Sequence, residues 1–293
     1  MFSFCTDPAT LPDGQWMVCY LTTASHWALY RSVLVVMLLL ALAAPLALGL
    51  GFLGALAVRS GNRLLKAIGT LYVSIVRGVP DIIFFLFVPL AIDQGVEFAR
   101  HRILCPDWDQ PVRQGNDFIV CAQAKMPLAN AAAWVHDVWG FSLALLAFAL
   151  VFGAFAANTL HGAMAAVPHT QLETGEAYGM SRAQTFRRIL LPQMWVYALP
   201  GLSNLWMILT KATPLLFLLG IKDIVFWARE LGGQKTGHYD YTHDDWRVWY
   251  FLGVLAFYLL LTWFSQKFFD RLMVRLSYGQ ATAGGETLRK AAT

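Results

Sequence analysis

TQLETGEAYGMSRAQTFRRILLP, residues 170–192, is a polar stretch between two long apolar ones. Thr170 and Glu173 have the S/T-x-x-E spacing of a capping box, and Gly179 is placed to end that helix in a left-handed conformation. Ser181 and Gln184 repeat the capping-box spacing before the apolar run resumes, which predicts a second helix start. The stretch therefore predicts two short helices joined by a glycine, a rigid elbow that a partner could hold.

The composition indicates a membrane protein. Of the 293 residues, 57% are hydrophobic and 14% are charged, whereas soluble domains are about 25% charged. The net charge is only +4, and no Lys/Arg-rich run favours a nucleic-acid partner. Residues 1–26 hold no basic segment followed by an apolar core, so we expect the first apolar span to be retained. The fold class predicted is an all-α membrane protein with modest loops.

The sequence contains five apolar runs long enough to cross a bilayer, which takes roughly 17–25 residues. They predict one transmembrane domain over residues 32–275. The predicted spans are 32–58, 67–92, 138–167, 189–221 and 248–265, and the second of them is interrupted at residues 77–81 by a Gly-x-Pro sequence that disrupts a helix. The remaining segments are an N-terminal segment 1–31, a polar loop 93–137, the elbow 168–188 and a C-terminal tail 276–293.

Basic residues predict the orientation of these spans. On the side that carries residues 59–66, the elbow and the tail, Lys and Arg crowd next to the span ends. Because such residues favour the cytoplasmic side, the elbow and the C-terminus are predicted in the cytoplasm, with the N-terminus outside.

All four cysteines, Cys5, Cys19, Cys105 and Cys121, fall on the predicted outer side. An even number of cysteines in an oxidising compartment is consistent with disulfides. We favour Cys105–Cys121, since both lie in one loop, which leaves Cys5–Cys19; free or partly paired cysteines are the alternative. No metal site is predicted, because no C-x-x-C spacing occurs.

The elbow resembles a motif of a known family. Glu173, Gly179, Ile189 and the pair 191–192 have the spacing of the E-A-A-x3-G-x9-I-x-L-P signature in permease subunits of bacterial ABC importers. The residues around it resemble the polar amino acid branch, of the histidine/arginine/glutamine type. Thr174 and Gly175 stand where that family usually has alanines. The resemblance implies the type I importer permease fold, with five transmembrane helices and a cytoplasmic coupling helix. The surface that it implies for ATPase coupling consists of Glu173, Glu176, Ala177, Gly179, Met180, Ser181, Gln184 and Arg187.

Two further segments are similar to family motifs and suggest a substrate path. Residues 76–80, VRGVP, resemble the R-G-T-P turn, and Arg77, Pro80 and Asp81 are its candidate residues. Arg77 and Asp81 are four residues apart and would pair on a continuing helix. The alternatives for them are a lining or gating role, or a self-neutralised pair that only fixes helix packing.

The second of these segments is residues 211–216, KATPLL, which resemble the K-x-T-S-L motif, with Lys211, Thr213 and Pro214 as candidates. Lys211 would be an isolated cation within a span, where charges usually have a function. Pro214 stands in place of the usual serine and removes a hydroxyl and a backbone donor, which favours a heterodimer over a homodimer.

The resemblance implies a permease subunit that imports polar, possibly cationic, amino acids by alternating access. Its implied partners are a cytoplasmic ABC ATPase dimer, a second permease chain, a periplasmic amino-acid-binding protein and membrane lipid, in the bacterial inner membrane. No cofactor is expected in this chain, since it lacks the G-x-x-x-x-G-K-[ST] loop; ATP and Mg would be bound by the ATPase. It is not predicted to be an enzyme. The alternative function is an ion-coupled secondary amino acid transporter.

Overall fold

The structure, a computed structural model, describes Cys5 and residues 10–277. This part of the chain is mostly helical and contains one short β-hairpin. Its helices are α1 (Asp13–Leu21), α2 (Ala24–Arg59), α3 (Arg63–Gly78), α4 (Asp81–Leu104), α5 (Ala133–Ala166), α6 (His169–Ala177), α7 (Arg182–Thr185), α8 (Leu191–Ala212), α9 (Ile224–Gly232) and α10 (Arg247–Ser277). The hairpin pairs β1 (Arg113–Gln114) with β2 (Asp117–Phe118) in antiparallel register.

Within the described residues, five helical stretches are long and apolar enough to cross a membrane, judged by length and composition. These stretches are Ala24–Arg59, Asp81–Leu104, Ala133–Ala166, Arg182–Leu219 and Arg247–Leu276. The number of spans agrees with the prediction, but the limits differ. The first and last spans continue beyond the predicted ends because their polar flanks remain helical. Most of the predicted tail, residues 278–293, lies outside the described residues.

The run 67–92 is divided where the sequence predicts an interruption, but the span itself is Asp81–Leu104, so the predicted bounds 67–92 are wrong. α3 ends at Gly78, Val79 is extended with φ −113° and ψ 141°, and α4 begins at Asp81. Pro80 explains the break, since its ring disfavours the helical region for the residue before it and it has no N–H to continue the ladder. α4 then continues to Leu104, so the first part of the predicted loop 93–137 is helical.

The described residues divide into two compact units. The first is built from the parts of the chain within Met1–Ala43, Asp81–Phe148 and Thr213–Ala256. The second is built from the parts within Ala44–Pro80, Ala149–Ala212 and Phe257–Thr293.

In the second unit, α2 and α5 pack with almost no side chain between them. A β-carbon placed on Gly51 would lie 2.5 Å from the Cβ of Ala156, and one placed on Gly54 would lie 2.9 Å from the Cβ of Ala157. Distances this short mean that the two backbones touch, as small residues permit in membrane helix pairs. Close packing of α2 on α5 therefore depends on these glycines.

In the first unit, the end of α4 is tied to the segment that follows it. Asp93 accepts a hydrogen bond from the indole of Trp139 at 2.7 Å, and Glu97 accepts one from the Met126 N–H at 3.1 Å. Arg100 donates to the carbonyls of Gln123 and Ala124. These acceptors and donors lie on one face of the helix, so residues 93–139 form an ordered structure rather than a loose loop.

Two disulfides are present in the first unit, Cys105–Cys121 and Cys5–Cys19, the pairing that the sequence analysis favours. The Cys105–Cys121 bond encloses the hairpin. Cys5 and Cys19 belong to a small buried cluster with Tyr20 and Tyr241. Each disulfide therefore stabilises a segment too short to have a large core of its own.

Candidate functional site

The elbow begins with α6, whose start is not the predicted one. The helix starts at His169 with Pro168 at its N-cap, and no side chain caps it. Thr170 is already inside the first turn, where its carbonyl accepts a hydrogen bond from the Thr174 hydroxyl at 2.7 Å. The predicted Thr170–Glu173 capping box is therefore wrong. Pro168 explains this, since its fixed φ, here −57°, leads the chain into the helix two residues earlier. Glu173 lies 3.6 Å from the ring of His169.

α6 ends at the predicted glycine. Gly179 has φ +81°, in the left-handed region. Its N–H donates to the Glu176 carbonyl at 2.9 Å, and the Met180 N–H donates to the Gly175 carbonyl at 3.0 Å. This pair of bonds is the Schellman motif, which satisfies the last carbonyls of a helix. Gly179 is thus confirmed as the joint of the elbow.

The second helix start is confirmed as well. The Ser181 hydroxyl accepts from the Gln184 N–H, and the Gln184 side chain accepts from the Ser181 N–H at 2.8 Å, which makes a complete capping box. After α7 the chain forms a π-helical turn, Phe186–Leu190, and continues into α8. Pro192 has no N–H to donate to the carbonyl of the residue four positions earlier, so the regular α-helical hydrogen bonding is interrupted there. A π-helical turn accommodates such an interruption within a helix.

The buried side of the elbow explains why Gly175 replaces an alanine of the family motif. A β-carbon on Gly175 would lie 2.5 Å from Cδ1 of Ile189, so the Ile189 side chain occupies that space. Leu172 and Phe186 pack against a core that joins α5 to α8 through Met164. The elbow is therefore anchored by apolar contacts to two membrane helices.

The other side of the elbow is open to solvent. Seven of the eight residues predicted for coupling are exposed and Met180 is half-buried; the exposed ones are Glu173, Glu176, Ala177, Gly179, Ser181, Gln184 and Arg187. Tyr178, the last residue of the docking stretch 173–178 that the sequence predicts, is 84% exposed. An exposed tyrosine beside a left-handed turn is a typical contact residue of protein interfaces.

The pairing of Arg77 with Asp81 was predicted for a helix that continues from one residue to the other. The structure has no such helix, because α3 ends at Gly78 and α4 begins at Asp81. Arg77 lies in the last turn of α3 and donates from Nη1 to the Asn158 side chain at 3.0 Å, within the second unit. Asp81 is the first residue of α4, after the break at Pro80. Asn158 was not predicted as a partner, although it is one of few polar residues in the apolar sequence of α5.

Lys211 lies at the end of α8, and Thr213 and Pro214 begin the 3₁₀ turn that follows it. Lys211 is exposed in the last helical turn, Thr213 is buried, and Pro214 is half-buried in a 3₁₀ turn, Thr213–Leu219. The six residues proposed for a substrate path are divided between the two units. Arg77, Pro80 and Lys211 belong to the second, and Asp81, Thr213 and Pro214 to the first.

Possible metal ligands meet at one place in the described residues. The ligand atoms of His101, Cys105 and Cys121 lie within 4.8 Å of one another. The two sulfurs are bonded to each other, and Nδ1 of His101 accepts a hydrogen bond from the Cys121 N–H at 3.2 Å. Since thiolate sulfur is the form that binds metal, this cluster is a structural one.

Comparison with known proteins gives matches along most of the chain. Residues 47–277 match the family model described as binding-protein-dependent transport system inner membrane component. The arginine ABC transporter permease protein ArtQ of Escherichia coli (strain K12) is 31% identical over 208 residues, 71% of this chain and 77% of that protein. The histidine/lysine/arginine/ornithine transport system permease protein HisQ of Salmonella typhimurium is 31% identical over 235 residues, 80% of this chain and 86% of that protein.

Two solved structures have the same fold. The crystal structure of an amino acid ABC transporter with histidines matches with a TM-score of 0.60 at 18% identity, covering 91% of this chain and all of that one. An inward-facing structure of the MetNI methionine ABC transporter matches with a TM-score of 0.54 at 16% identity, covering 86% of this chain and 97% of that one. Both are ABC transporters, and at this identity they show the fold alone.

Proposed function

The chain belongs to the family of binding-protein-dependent transport system inner membrane components, and from this premise we propose that it moves polar, preferably cationic, amino acids through the bacterial inner membrane. It is a permease subunit of an ABC importer and not an enzyme, since ATP hydrolysis in such a system belongs to a separate subunit. The observation that carries the mechanism is the elbow, which is rigid, exposed on one side and anchored to two membrane helices on the other.

The substrate class rests on the relatives. The names of the most similar ones specify arginine, histidine/lysine/arginine/ornithine and octopine. The first two names describe cationic or titratable amino acids. The acid-rich sequence of the predicted outer loops also favours a cation, since such loops attract positive charge. A cationic amino acid is therefore the substrate that we would test first.

The elbow has the properties that mechanical coupling needs. Its polar side is free to fit a groove of an ATPase, whereas Ile189 and Phe186 transmit displacement to the core below. When two ATPase subunits close on ATP, the elbows of two permease chains would approach each other and open the path outward. ATP and Mg would be held by the ATPase dimer, so the role of this chain is to change conformation in response.

The remaining partners follow from the same scheme. A periplasmic binding protein would deliver the amino acid, with the N-terminus outside and the C-terminus and elbow in the cytoplasm. A second permease chain would complete the path. Pro214, where the family motif has serine, supports a heterodimer in which this chain contributes less to substrate contact, and Lys211 and Thr213 are the residues that would report it.

The decisive experiment tests whether the elbow holds an ATPase. Charge reversal by Glu173→Arg, and separately deletion of 179–184, should prevent an ATP-binding subunit from co-purifying and should abolish ATP-driven uptake. Asp109→Arg, a reversal at an exposed acid of the first unit, is the matched control and should leave the assembly intact. Retention of a stoichiometric ATPase after the deletion would refute the proposed coupling site.

Uptake measurements on the purified chain distinguish the proposed function from the alternative one. An ion-coupled secondary transporter would take up amino acids in liposomes that contain this chain alone, driven by an ion gradient and insensitive to the elbow. An ABC permease subunit should show no such uptake without its ATPase. For the heterodimer, Lys211→Ala and Thr213→Ala should leave transport largely intact while the equivalent changes in the partner abolish it, and the reverse result would contradict that assignment.

A further inference from the structure

We propose that α3 is a membrane-surface helix that binds anionic phospholipid, with acyl chains against its exposed apolar side chains and lipid phosphate against Arg63 and Lys66. α3 consists of the 16 residues Arg63–Gly78. It is neither one of the five candidate spans nor part of the elbow. Lipid binding by this helix would therefore be separate from the coupling role.

The place of α3 in the chain keeps both of its ends on one side of the membrane. It lies between two successive spans, of which the first ends at Arg59 and the second begins at Asp81. A chain that has crossed the bilayer returns only through its next span, so residues 60–80 remain on the side where α2 ends. With 16 residues, α3 is about 24 Å long, less than the roughly 30 Å of a hydrocarbon core. α3 therefore runs along the membrane surface.

One face of α3 is fixed to membrane-spanning helices of the second unit. A β-carbon on Gly69 would lie 2.8 Å from the Cβ of Ala57, so α3 and α2 touch there with almost no side chain between them. The Tyr72 hydroxyl donates to the Leu150 carbonyl of α5 at 2.6 Å. The buried residues on this face are Gly69, Val73 and Val76. These contacts determine the directions in which the other two faces of the helix point.

A second face carries large apolar side chains that are exposed. Spacings of four, three and four residues place them on one side of the helix. We call these residues the apolar stripe: Leu64, Ile68, Leu71 and Ile75, which are between 48% and 69% exposed. A surface helix at the end of a span can bury such a stripe among the acyl chains next to it.

The third face is polar and positively charged. Its exposed residues are Arg63, Lys66, Thr70 and Ser74. Residues 59–80 include Arg59 and Arg77 as further cations and contain no Asp or Glu. In the described part of the chain, the ion pairs involve neither Arg63 nor Lys66. The positive charge of this face is therefore available to an anion outside the chain.

A phospholipid matches both exposed faces at once. Its acyl chains fit the apolar stripe, and its phosphate lies at the membrane surface, where Arg63 and Lys66 can reach it. Clusters of basic side chains next to a span or on an amphipathic helix typically bind anionic lipid. A zwitterionic lipid also has a phosphate, but the positive charge of its headgroup offsets the attraction to the two cations. The charge of α3 therefore selects a lipid with net negative charge.

The expected selectivity follows from the number of cations. A Lys or Arg near an anionic membrane surface contributes roughly a fivefold preference for that surface. Arg63 and Lys66 together give roughly a 25-fold preference for an anionic over a neutral lipid at this helix.

Fluorescence quenching at a single labelled position measures this preference. All four cysteines are in disulfides, so Leu71→Cys adds one thiol for a bimane label. The labelled full chain, with any partners that co-purify, is placed in nanodiscs at low salt. Brominated phosphatidylglycerol should associate with the labelled site roughly 25-fold more strongly than brominated phosphatidylcholine. A label at Ser74→Cys should instead be quenched by aqueous iodide.

Charge variants assign the preference to α3. Arg63→Gln and Lys66→Gln should each lower the ratio of the two association constants roughly fivefold, and the double variant should bring it close to one. Lys267→Gln with Arg271→Gln is the matched control, because it removes the same charge from exposed positions of α10. This control should leave the ratio at position 71 unchanged.

Three results would overturn the proposal. A label at position 71 that neither brominated lipid quenches would show that protein, such as a second permease chain, covers the apolar stripe. Equal association of the two lipids, or an equal loss of preference in the α10 control, would show that α3 does not recognise anionic lipid. Salt tests the charge without any charge variant, since the Debye length falls to about 3 Å at 1 M. The preference should weaken severalfold there, and a preference that salt leaves unchanged would contradict recognition by charge.

Discussion

Gly179 offers the sharpest test of the elbow, because its substitution changes one physical quantity only. Its φ is +81°, and a β-carbon there would have no atom within 4 Å. Gly179→Ala therefore introduces no clash, and its cost is the left-handed backbone of a residue with a side chain, about 1–2 kcal/mol. That free energy should raise the population of the open elbow roughly 5- to 30-fold. Gly179→Asn should cost less, since asparagine tolerates this conformation better.

Trypsin cleavage after Arg182 measures this population. Arg182 is exposed at the start of α7, and cleavage of a transiently open segment follows its equilibrium population when closing is fast. The fragment ending at Arg182 should appear 5- to 30-fold faster in Gly179→Ala, in line with the free-energy estimate of about 1–2 kcal/mol. Gly162→Ala is the matched control, because Gly162 also has open space around it but lies in helical backbone of α5. Cleavage of Gly179→Ala at the native rate, or equal acceleration in Gly162→Ala, would refute the role of the left-handed joint.

Three further predictions concern single contacts. Burial raises the pKa of Asp223 to about 6, so the folded chain binds this proton more tightly than the unfolded chain; stability should fall by about 3 kcal/mol as pH rises from about 4 to about 6. Asp223→Asn should remove that fall in urea titrations, and an unchanged pH profile would contradict it. Ser181→Ala should destabilise the closed elbow by about 1 kcal/mol, measured by the rate of tryptic cleavage after Arg182, whereas Ser181→Thr should leave that rate nearly unchanged. Equal cleavage rates in the two variants would argue against the cap. Replacing Cys105 and Cys121 by serine should lower the unfolding free energy of the surrounding segment by about 3 kcal/mol for a 16-residue separation, and an unchanged urea midpoint would disagree with that.

The parts of the fold that could be predicted from sequence are those that local rules determine. Apolar length gave five spans, and the glycine and serine of the elbow were predicted correctly because their hydrogen bonds reach only a few residues along the chain. The same local rules failed where a proline competes. Pro168 displaces the capping box predicted at Thr170.

The parts that could not be predicted depend on contacts between distant residues. Nothing in the sequence around Arg77 indicates that its partner is Asn158, 81 residues away. The bond between Tyr20 and His243 spans 223 residues, and hydrophobic periodicity carries no information about such pairs. The glycine at position 175 is explained by a tertiary contact, because the Ile189 side chain occupies the space that a side chain at position 175 would need.

The packing of α2 on α5 has a mechanical consequence. Interfaces made of long side chains absorb part of a displacement, since each side chain can change rotamer. Gly51, Gly54 and the alanines that face them have no such freedom. A displacement of α5 should therefore move α2 by the same amount, so the two helices behave as one rigid body. Any deformation within the second unit must then occur at its other contacts.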